Sequence, residues 1–543
     1  MKQWRSTSRG SLMTSLLAGV LWFGPATFTT AQVIEMSPLT RADERFLDET
    51  IQDDSIANAT DVVGGHPLGA SVSYDLRDVG GNNYVTSVKD QGSCGSCWAF
   101  AAYGAMESNL LLGGGPYSDF SENNLKNRHG FDWEPCEGGN SWISVAYLSR
   151  LDGPGSEADD PYHDWDDKAT APTTIPRQRF LRESSWYGTS AEIKDAIVDK
   201  GGLYTTMYYN SAYYRSTDAT YYYNGVVSRN HAVTLIGWDD NKPTAGGTGA
   251  WLAKNSWGTW WGEDGCFWIS YQDAQGCKAG RSFETDAADT VTDVYYHDEF
   301  GEVSCVNVRY ACNVFQTGDE AETLKSIGFF TEADDAGYEV RVYGDWDSAA
   351  PADLLASKSG TIDQQGFHVV DLDALLSLDA NDDFVVYLYL DDGYYYGGYT
   401  YYQAFDFAYP GYNSASTASP GESFYSFDGS VWGDLAMEDG FDTANFCIKA
   451  YVTAAPELIP GDANDDGMVN AVDASILADN WGKDEATWGM GDFNDDGVVG
   501  PADAVILAAH WGYGTTEASV PEPGVGVLLA GLLIGVTLRR RAR

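Results

Sequence analysis

The stretch Lys89-Asp90-Gln91-Gly92-Ser93-Cys94-Gly95-Ser96-Cys97-Trp98-Ala99-Phe100 sets one thiol, Cys97, directly before an apolar run. Ala99, Phe100, Met106, Leu110 and Leu111 recur at helical spacing, which predicts a helix beginning at Cys97. Unpaired backbone N–H groups and the dipole at a helix N-terminus favour negative charge. A free thiol, with a pKa of about 8.5, needs such help to be a thiolate near neutrality. Far downstream, His231 stands in Asn230-His231-Ala232-Val233-Thr234-Leu235-Ile236-Gly237-Trp238, and Asn255 in Lys254-Asn255-Ser256-Trp257-Gly258. An imidazolium beside the thiolate would supply the opposite charge and later protonate a leaving amine. The Asn255 side-chain carbonyl can accept a hydrogen bond from that ring and fix its orientation. Taken singly, a cysteine in an exported protein is more often half of a disulfide, and a lone His or Asn is a polar surface residue. Their joint occurrence in this order argues for nucleophilic catalysis.

Cys94-Gly95-Ser96-Cys97-Trp98, followed at a distance by His231 and Asn255, resembles the signature of papain-like cysteine peptidases. The resemblance covers roughly residues 71–275. It implies an α+β, two-lobed peptidase domain over residues 71–285, with a helical half, a β-rich half and a cleft between them. By that resemblance Gln91 donates its amide to the oxyanion together with the Cys97 backbone N–H. Losing one such donor typically costs about 2.7–4 kcal/mol of transition-state stabilisation. Trp257 would cover the His231–Asn255 bond and exclude water. Catalysis of this kind needs no metal.

Further residues follow from the same resemblance. Cys136, in Cys136-Glu137-Gly138-Gly139, matches the position that pairs with the cysteine three before the nucleophile, which implies a Cys94–Cys136 disulfide and a free Cys97. Such a bridge stabilises by about 2–4 kcal/mol. Gly138 and Gly139 would let a substrate backbone approach closely and pair strand-like, a plain Gly-Gly turn being the simpler alternative. The family often has another cysteine after Ser-Glu-x-x-Leu. Here Ser121-Glu122-Asn123-Asn124-Leu125 runs into Lys126-Asn127-Arg128, so a second disulfide is expected to be missing. Cys266 and Cys277 are close enough in sequence to pair, and Cys305, Cys312 and Cys447 cannot all pair among themselves.

At 543 residues the chain suggests three or four units, and 43% hydrophobic residues allow large cores. Eighty acidic against 32 basic side chains give a formal charge of −48. That balance opposes a nucleic-acid partner, and it suits solubility by self-repulsion or the holding of cations. Lys2, Arg5 and Arg9 precede the apolar residues 12–23, with small Thr29 and Ala31 behind them. This reads as a secretory signal peptide over 1–31, and export permits disulfides. Residues 32–70 read as a short acidic propeptide or linker, without a counterpart of the family's longer inhibitory propeptide. Val520-Pro521-Glu522-Pro523, an apolar run and Arg539, Arg540 and Arg541 resemble the PEP-CTERM sorting signal of Gram-negative bacteria. That resemblance implies a cell-surface or extracellular-matrix location, with membrane contact only through the tail 520–543. A plain C-terminal anchor is the alternative.

Between residues 290 and 453, β-branched and aromatic runs such as Glu339-Val340-Arg341-Val342-Tyr343 and Phe384-Val385-Val386-Tyr387-Leu388-Tyr389-Leu390 alternate with Gly, Asp, Asn and Ser clusters. They predict an antiparallel β-sandwich. The region resembles the lectin-like domain that follows the peptidase in some bacterial papain-like proteins, which raises carbohydrate as a ligand. Tyr394, Tyr395, Tyr396, Tyr399, Tyr401 and Tyr402 could stack on sugar rings or peptide, though such runs are more often cross-strand pairs.

Over residues 459–513 a module repeats: Asp462-Ala463-Asn464-Asp465-Asp466-Gly467 recurs as Asp492-Phe493-Asn494-Asp495-Asp496-Gly497. Asp462, Asn464, Asp466 and Asp473, and then Asp492, Asn494, Asp496 and Asp503, occupy positions 1, 3, 5 and 12 of EF-hand-like loops, with glycine at the sharp turn. Hard oxygen ligands at this spacing suit Ca2+. Two such loops with short helices resemble a dockerin, which implies a cohesin partner; a calcium-stapled domain without a partner is the alternative.

The function these readings favour is an exported cysteine endopeptidase. A non-catalytic peptide-binding relative would typically have lost the nucleophile. Acyl transfer to an amine instead of water uses the same residues and would be told apart by product mass.

Overall fold

The structure, a computed structural model, describes residues 33–37, 71–347, 349–396, 398–454, 458–484 and 486–514. The expected signal peptide (1–31) and sorting signal (520–543) lie outside the described residues, as does most of 32–70. Among the described residues no helix is long and apolar enough to cross a membrane.

Among the described residues there are six α-helices: α1 (Cys97–Leu112), α2 (Glu122–Arg128), α3 (Ser141–Ser149), α4 (Ser190–Lys200), α5 (Ala471–Asn480) and α6 (Pro501–Ala509). Helix α1 starts at Cys97 as its apolar spacing predicts. Nearly all its side chains from Trp98 to Leu110 are buried, so it is a central helix instead of an amphipathic surface one. Ser121 caps α2 by accepting from Asn124 N, and Asn140 caps α3 by accepting from Ile143 N. The disulfide among the described residues is Cys94–Cys136. Where the second bridge was expected to be missing, polar contacts tie α2 to the 160–172 segment. Lys126 Nζ lies 3.1 Å from Asp167 Oδ1, Asn127 Nδ2 donates to the same oxygen at 2.6 Å, and Arg128 Nε donates to Pro172 O at 2.9 Å.

The second lobe is an antiparallel sheet with the strands Leu203–Met207, His231–Thr244, Gly247–Lys254 and Cys266–Ser270 in that order. Leu235, Trp251, Leu252, Phe267 and Ile269 fill its core. The Cys266–Cys277 pairing that their sequence distance allowed does not occur; both are separate buried thiols. Cys266 sits on the fourth strand opposite Lys254, whereas Cys277 N donates to Thr206 O on the first, so the width of the sheet separates them.

One strand, Arg179–Tyr187, serves both the peptidase region and the β-rich region that follows. Trp186 and Tyr187 pair with Arg281 and Gly280, while Glu183, Ser184 and Ser185 pair with His368, Phe367 and Gly366 of the strand Gly366–Leu378. The β-rich region is the expected sandwich. Leu324, Ile327, Phe329 and Val452 of the sheet continuous with Arg179–Tyr187 meet Val340, Val342, Phe384 and Leu388 of a six-stranded sheet. Tyr394–Tyr396 and Tyr399–Tyr401 form a small hairpin, so this part of the tyrosine run is cross-strand pairing.

Residues 33–37, at the start of the segment read as propeptide or linker, pair with the sandwich. Met36 pairs antiparallel with Val306, Ser37 N donates to Cys305 O at 2.8 Å, and Glu35 N donates to Asn307 Oδ1 at 2.8 Å. Ile34 and Met36 turn into the sandwich core. Five residues are too few to show the strand period in the sequence. In the C-terminal module the two repeats share one core, with Val469 and Leu477 of the first meeting Val499 and Leu507 of the second.

At the junction, Gly366 has φ +146°, and a Cβ there would lie 2.2 Å from Ser184 O. Gly366→Ala is therefore expected to destabilise the chain by about 2 kcal/mol or more, through strain and backbone collision. Urea denaturation checks this, and an unchanged midpoint would contradict the tight junction.

Candidate active site

The hairpin His231–Thr244/Gly247–Lys254 builds half of the site. Its register sets Thr234 opposite Lys254, so His231, at the start of one strand, and Asn255, just past the end of the other, share one rim. His231 Nε2–H donates to Asn255 Oδ1 at 2.8 Å; that oxygen also accepts from Ser256 N at 2.9 Å. The bond fixes the proton on Nε2 and leaves Nδ1 to take a proton from a thiol. Trp257 stacks on the imidazole at 4.6 Å between ring centroids, and Trp261 meets Trp257 edge-on at 4.8 Å. Trp257 therefore lies against the ring that makes the His231–Asn255 bond.

Across the cleft, Cys97 is the first residue of α1 and is a half-buried free thiol. Burial pushes its pKa up, while the backbone N–H groups of Ala232, Trp98 and Cys97 itself draw it back down. Burial lowers His231 to about 4, opposed by the hydrogen bond to Asn255. Each charge alone is therefore disfavoured. Moving one proton from Cys97 to His231 creates both charges together, so each offsets the other's desolvation at the positive end of α1.

Gln91 is buried, with Nε2 donating to Cys94 O at 2.8 Å and Oε1 accepting from Ser256 Oγ at 2.6 Å. Its other amide N–H remains for an oxyanion. Gly138 has φ +113°, and Gly95 N donates to Cys136 O at 3.2 Å. A Cβ on Gly139 would fall 2.3 Å from the Trp98 ring, so this rung is glycine because the helix behind it leaves no room. The disulfide places the rung beside the nucleophile's turn by joining Cys136 to Cys94.

Below the cleft runs a buried ionic layer that sequence reading did not single out. Lys89 Nζ lies 2.8 Å from Glu122 Oε1, 2.6 Å from Asp119 Oδ1 and 3.7 Å from Glu107 Oε1. Thr86 Oγ1 donates to Glu107 and accepts from Lys254 Nζ at 2.9 Å, one residue before Asn255. Burial holds Glu122 above the usual carboxylate range even with Lys89 against it. Ser256 and Tyr162 were also missed; Tyr162 Oη donates to Gln91 O at 2.9 Å and meets Ser96 Oγ at 2.6 Å. Ser256 adjoins Asn255 and could have been found from that; Tyr162 stands in no motif.

The repeated loops are well formed. Asp462 Oδ2 accepts from Gly467 N at 2.8 Å and Asp492 Oδ2 from Gly497 N at 2.7 Å, with both glycines at φ +78°. Asn464 and Asn494 donate to Asp466 and Asp496 at 2.9 Å. Asp473 accepts from Ala463 N and Asn470 N, and Asp503 from Phe493 N and Gly500 N, so both carboxylates cap helices. Among the described residues no three His, Cys, Asp or Glu side chains converge as a metal set. The donors are oxygens on tight turns, which is chemistry that fits a hard cation.

Residues 70–285 match the family model of papain family cysteine proteases, and residues 294–452 that of the lectin like domain. A viral cathepsin of Heliothis zea nuclear polyhedrosis virus is 35% identical over 200 residues, covering 35% of this chain and 50% of the relative. A cathepsin L-like proteinase of Fasciola hepatica is 33% identical over 207 residues, covering 35% of this chain and 57% of the relative. The chain thus spans about half the length of the curated relatives it matches. Among solved structures, the cysteine protease and lectin-like domains of Cwp84, a surface layer associated protein of Clostridium difficile, match with a TM-score of 0.64 and 26% identity. That match covers 72% of this chain and 90% of the Cwp84 chain.

In a Cys97→Ala variant, where no thiolate faces it, His231 is expected to titrate at about 4, below its ordinary 6.5, as read by imidazole NMR. Its folded value is depressed, so its contribution to stability is complete above pH 6.5 and is lost as pH falls toward 4. With Cys97 present, the thiolate moves the midpoint upward. A midpoint of 6.5 in the variant would mean a solvated ring and contradict the buried geometry.

Proposed function

We propose that this chain, whose residues 70–285 are a papain-family cysteine protease domain, is an exported cysteine endopeptidase that hydrolyses peptide bonds through Cys97, His231 and Asn255. The observation that carries this reading is the 2.8 Å His231–Asn255 bond beneath Trp257, facing a free thiol at the N-terminus of α1.

The Cys97 proton passes to His231 Nδ1, and the thiolate Sγ attacks the scissile carbonyl carbon. The carbonyl oxygen becomes an oxyanion, which accepts from the Cys97 N–H and from the free N–H of the Gln91 amide. Collapse breaks the C–N bond, the imidazolium protonates the departing amine, and an acyl-enzyme thioester remains. Water, deprotonated by His231, attacks the thioester, releasing the carboxylic acid product and the Cys97 thiolate. Asn255 holds one ring orientation through both steps. Gly138 and Gly139 offer backbone groups to an extended substrate.

The accessory parts support a surface-held enzyme. Cwp84, which shares both domains, is a surface layer associated protein, and the Pro521-Glu522-Pro523 tail resembles a sorting signal. The lectin-like domain suits a carbohydrate ligand. Asp462, Asn464, Asp466 and Asp473 would hold one Ca2+, and Asp492, Asn494, Asp496 and Asp503 another, stiffening a dockerin-like module toward a cohesin-type partner.

Two measurements test these readings. The exported form is expected to cleave an unstructured protein under mild reducing conditions, Cys97→Ala to be inert, and Gln91→Ala to lose roughly 10²–10³ in kcat. Cleavage surviving in Cys97→Ala would exclude the mechanism. Titration calorimetry is expected to detect two Ca2+ sites, with Asp462→Ala and Asp492→Ala each removing one; no heat in the native chain would remove calcium from the account.

A further inference from the structure

The lectin-like domain touches the peptidase domain at the wall of the cleft as well as along the shared strand. A loop of that domain, residues 407–416, lies on the segment 131–133, three residues ahead of Cys136. Asp132 is the centre of the contact. Its N–H donates to Tyr412 O at 2.8 Å. Its carboxylate accepts from Gly411 N at 3.0 Å, from Ser414 N at 3.1 and 3.2 Å, and from Ser414 Oγ at 2.8 Å. Trp133 Nε1 donates to Gly411 O at 2.9 Å. The Tyr412 ring meets Phe131 edge-on at 4.9 Å and Trp133 at 5.3 Å between centroids. Its hydroxyl accepts from Asn140 Nδ2 at 3.4 Å, on the far side of the rung.

The rung is thereby held on three sides. The disulfide fixes Cys136, Trp98 backs Gly139, and the lectin-like loop grips both flanks, Phe131 to Trp133 before it and Asn140 after it. Between these anchors Gly95 N joins the backbone of 134–139 to the nucleophile's turn by donating to Cys136 O. A backbone that pairs with substrate must be placed within a few tenths of an ångström, because a hydrogen bond weakens steeply off its geometry.

We propose that Asp132 is a positioning residue, through which the lectin-like loop 407–416 sets the Gly138-Gly139 rung for the non-leaving side of an extended substrate. The inference rests on the endopeptidase reading, and it separates two effects within that reading. The rung contributes to binding of extended peptide. Cys97, His231 and Asn255 lie on other elements and keep their reactivity when the clasp loosens.

The test uses the full chain, comparing native protein with Asp132→Ala, Asp132→Asn and Ser414→Ala. Asp132→Ala is expected to raise KM for an extended peptide about tenfold with kcat changed less than about twofold, a split that reports loss of binding without loss of chemistry. Asp132→Asn, which keeps an acceptor oxygen, restores part of the loss, and Ser414→Ala, which removes one bond, gives a smaller rise in the same direction. A second readout is independent of turnover: the rate of Cys97 alkylation by a peptidyl chloromethyl ketone relative to iodoacetamide. The peptidyl rate falls in Asp132→Ala while the iodoacetamide rate stays. An unchanged KM and an unchanged ratio would overturn the proposal, as would equal losses with both reagents. If no peptide is hydrolysed by any form, the endopeptidase reading fails while the alkylation ratio still decides the role of Asp132.

Discussion

The strand Arg179–Tyr187 is the constraint on which the rest of the chain is arranged. One end pairs inside the peptidase domain and its middle pairs with the lectin-like domain, so a single backbone carries two sheets. A strand can pair on only two edges. Sharing it between domains means that separating them breaks the ladder from Glu183–Ser185 to Gly366–His368. The apolar core follows the same continuity: Phe180 and Leu181 from this strand pack with Trp142 and Tyr147 of α3 and with Phe330, Phe367 and Tyr451 of the lectin-like domain. Tyr451 Oη donates to Ser149 O at 2.8 Å, at the end of α3. The two domains therefore share one continuous sheet and core at this strand, and the buried Lys449–Asp298 pair lies at 2.6 Å near the start of the β-rich region.

Within the peptidase domain the site is assembled from both lobes. Cys97 rides on a helix and the His231–Asn255 pair on a hairpin, with the Lys89, Glu107, Glu122 and Lys254 layer between them. Buried ionic layers add little net stability compared with apolar packing, but breaking one partner leaves an uncompensated charge. Such a layer penalises lobe separations other than the paired one. It holds the thiol and the imidazole at one spacing while keeping the floor of the cleft polar.

Burial both hinders and assists the proposed Cys97–His231 pair. The same low-dielectric surroundings that raise Cys97 and lower His231 strengthen their attraction once the proton has moved. Trp257 and Trp261 keep water from the imidazole face, and backbone N–H groups at the head of α1 supply fixed positive charge. Fixed backbone dipoles therefore assist the Cys97 thiolate alongside the imidazolium that forms with it.

Much of this was legible in the residues alone. Cys97 before a helical apolar run, His231, Asn255 and Gln91 in their contexts, the Cys94–Cys136 bridge, the missing second bridge and a β-sandwich were all readable, because each depends on local spacing or on a motif of specific residue types. The structure supplied what depends on distant segments meeting. Residues 33–37 pairing with Val306, the Asp132 clasp, the Thr86–Lys254 contact and the parting of Cys266 from Cys277 join segments whose sequences carry no sign of each other. The sequence by itself determined which groups the proposed chemistry would use, since a thiol, an imidazole and a carboxamide are residue identities. Only the tertiary structure decided the register of the hairpin, the shared strand and the support of the substrate rung, because these are set by which edges and faces remain to be covered once the cores have formed.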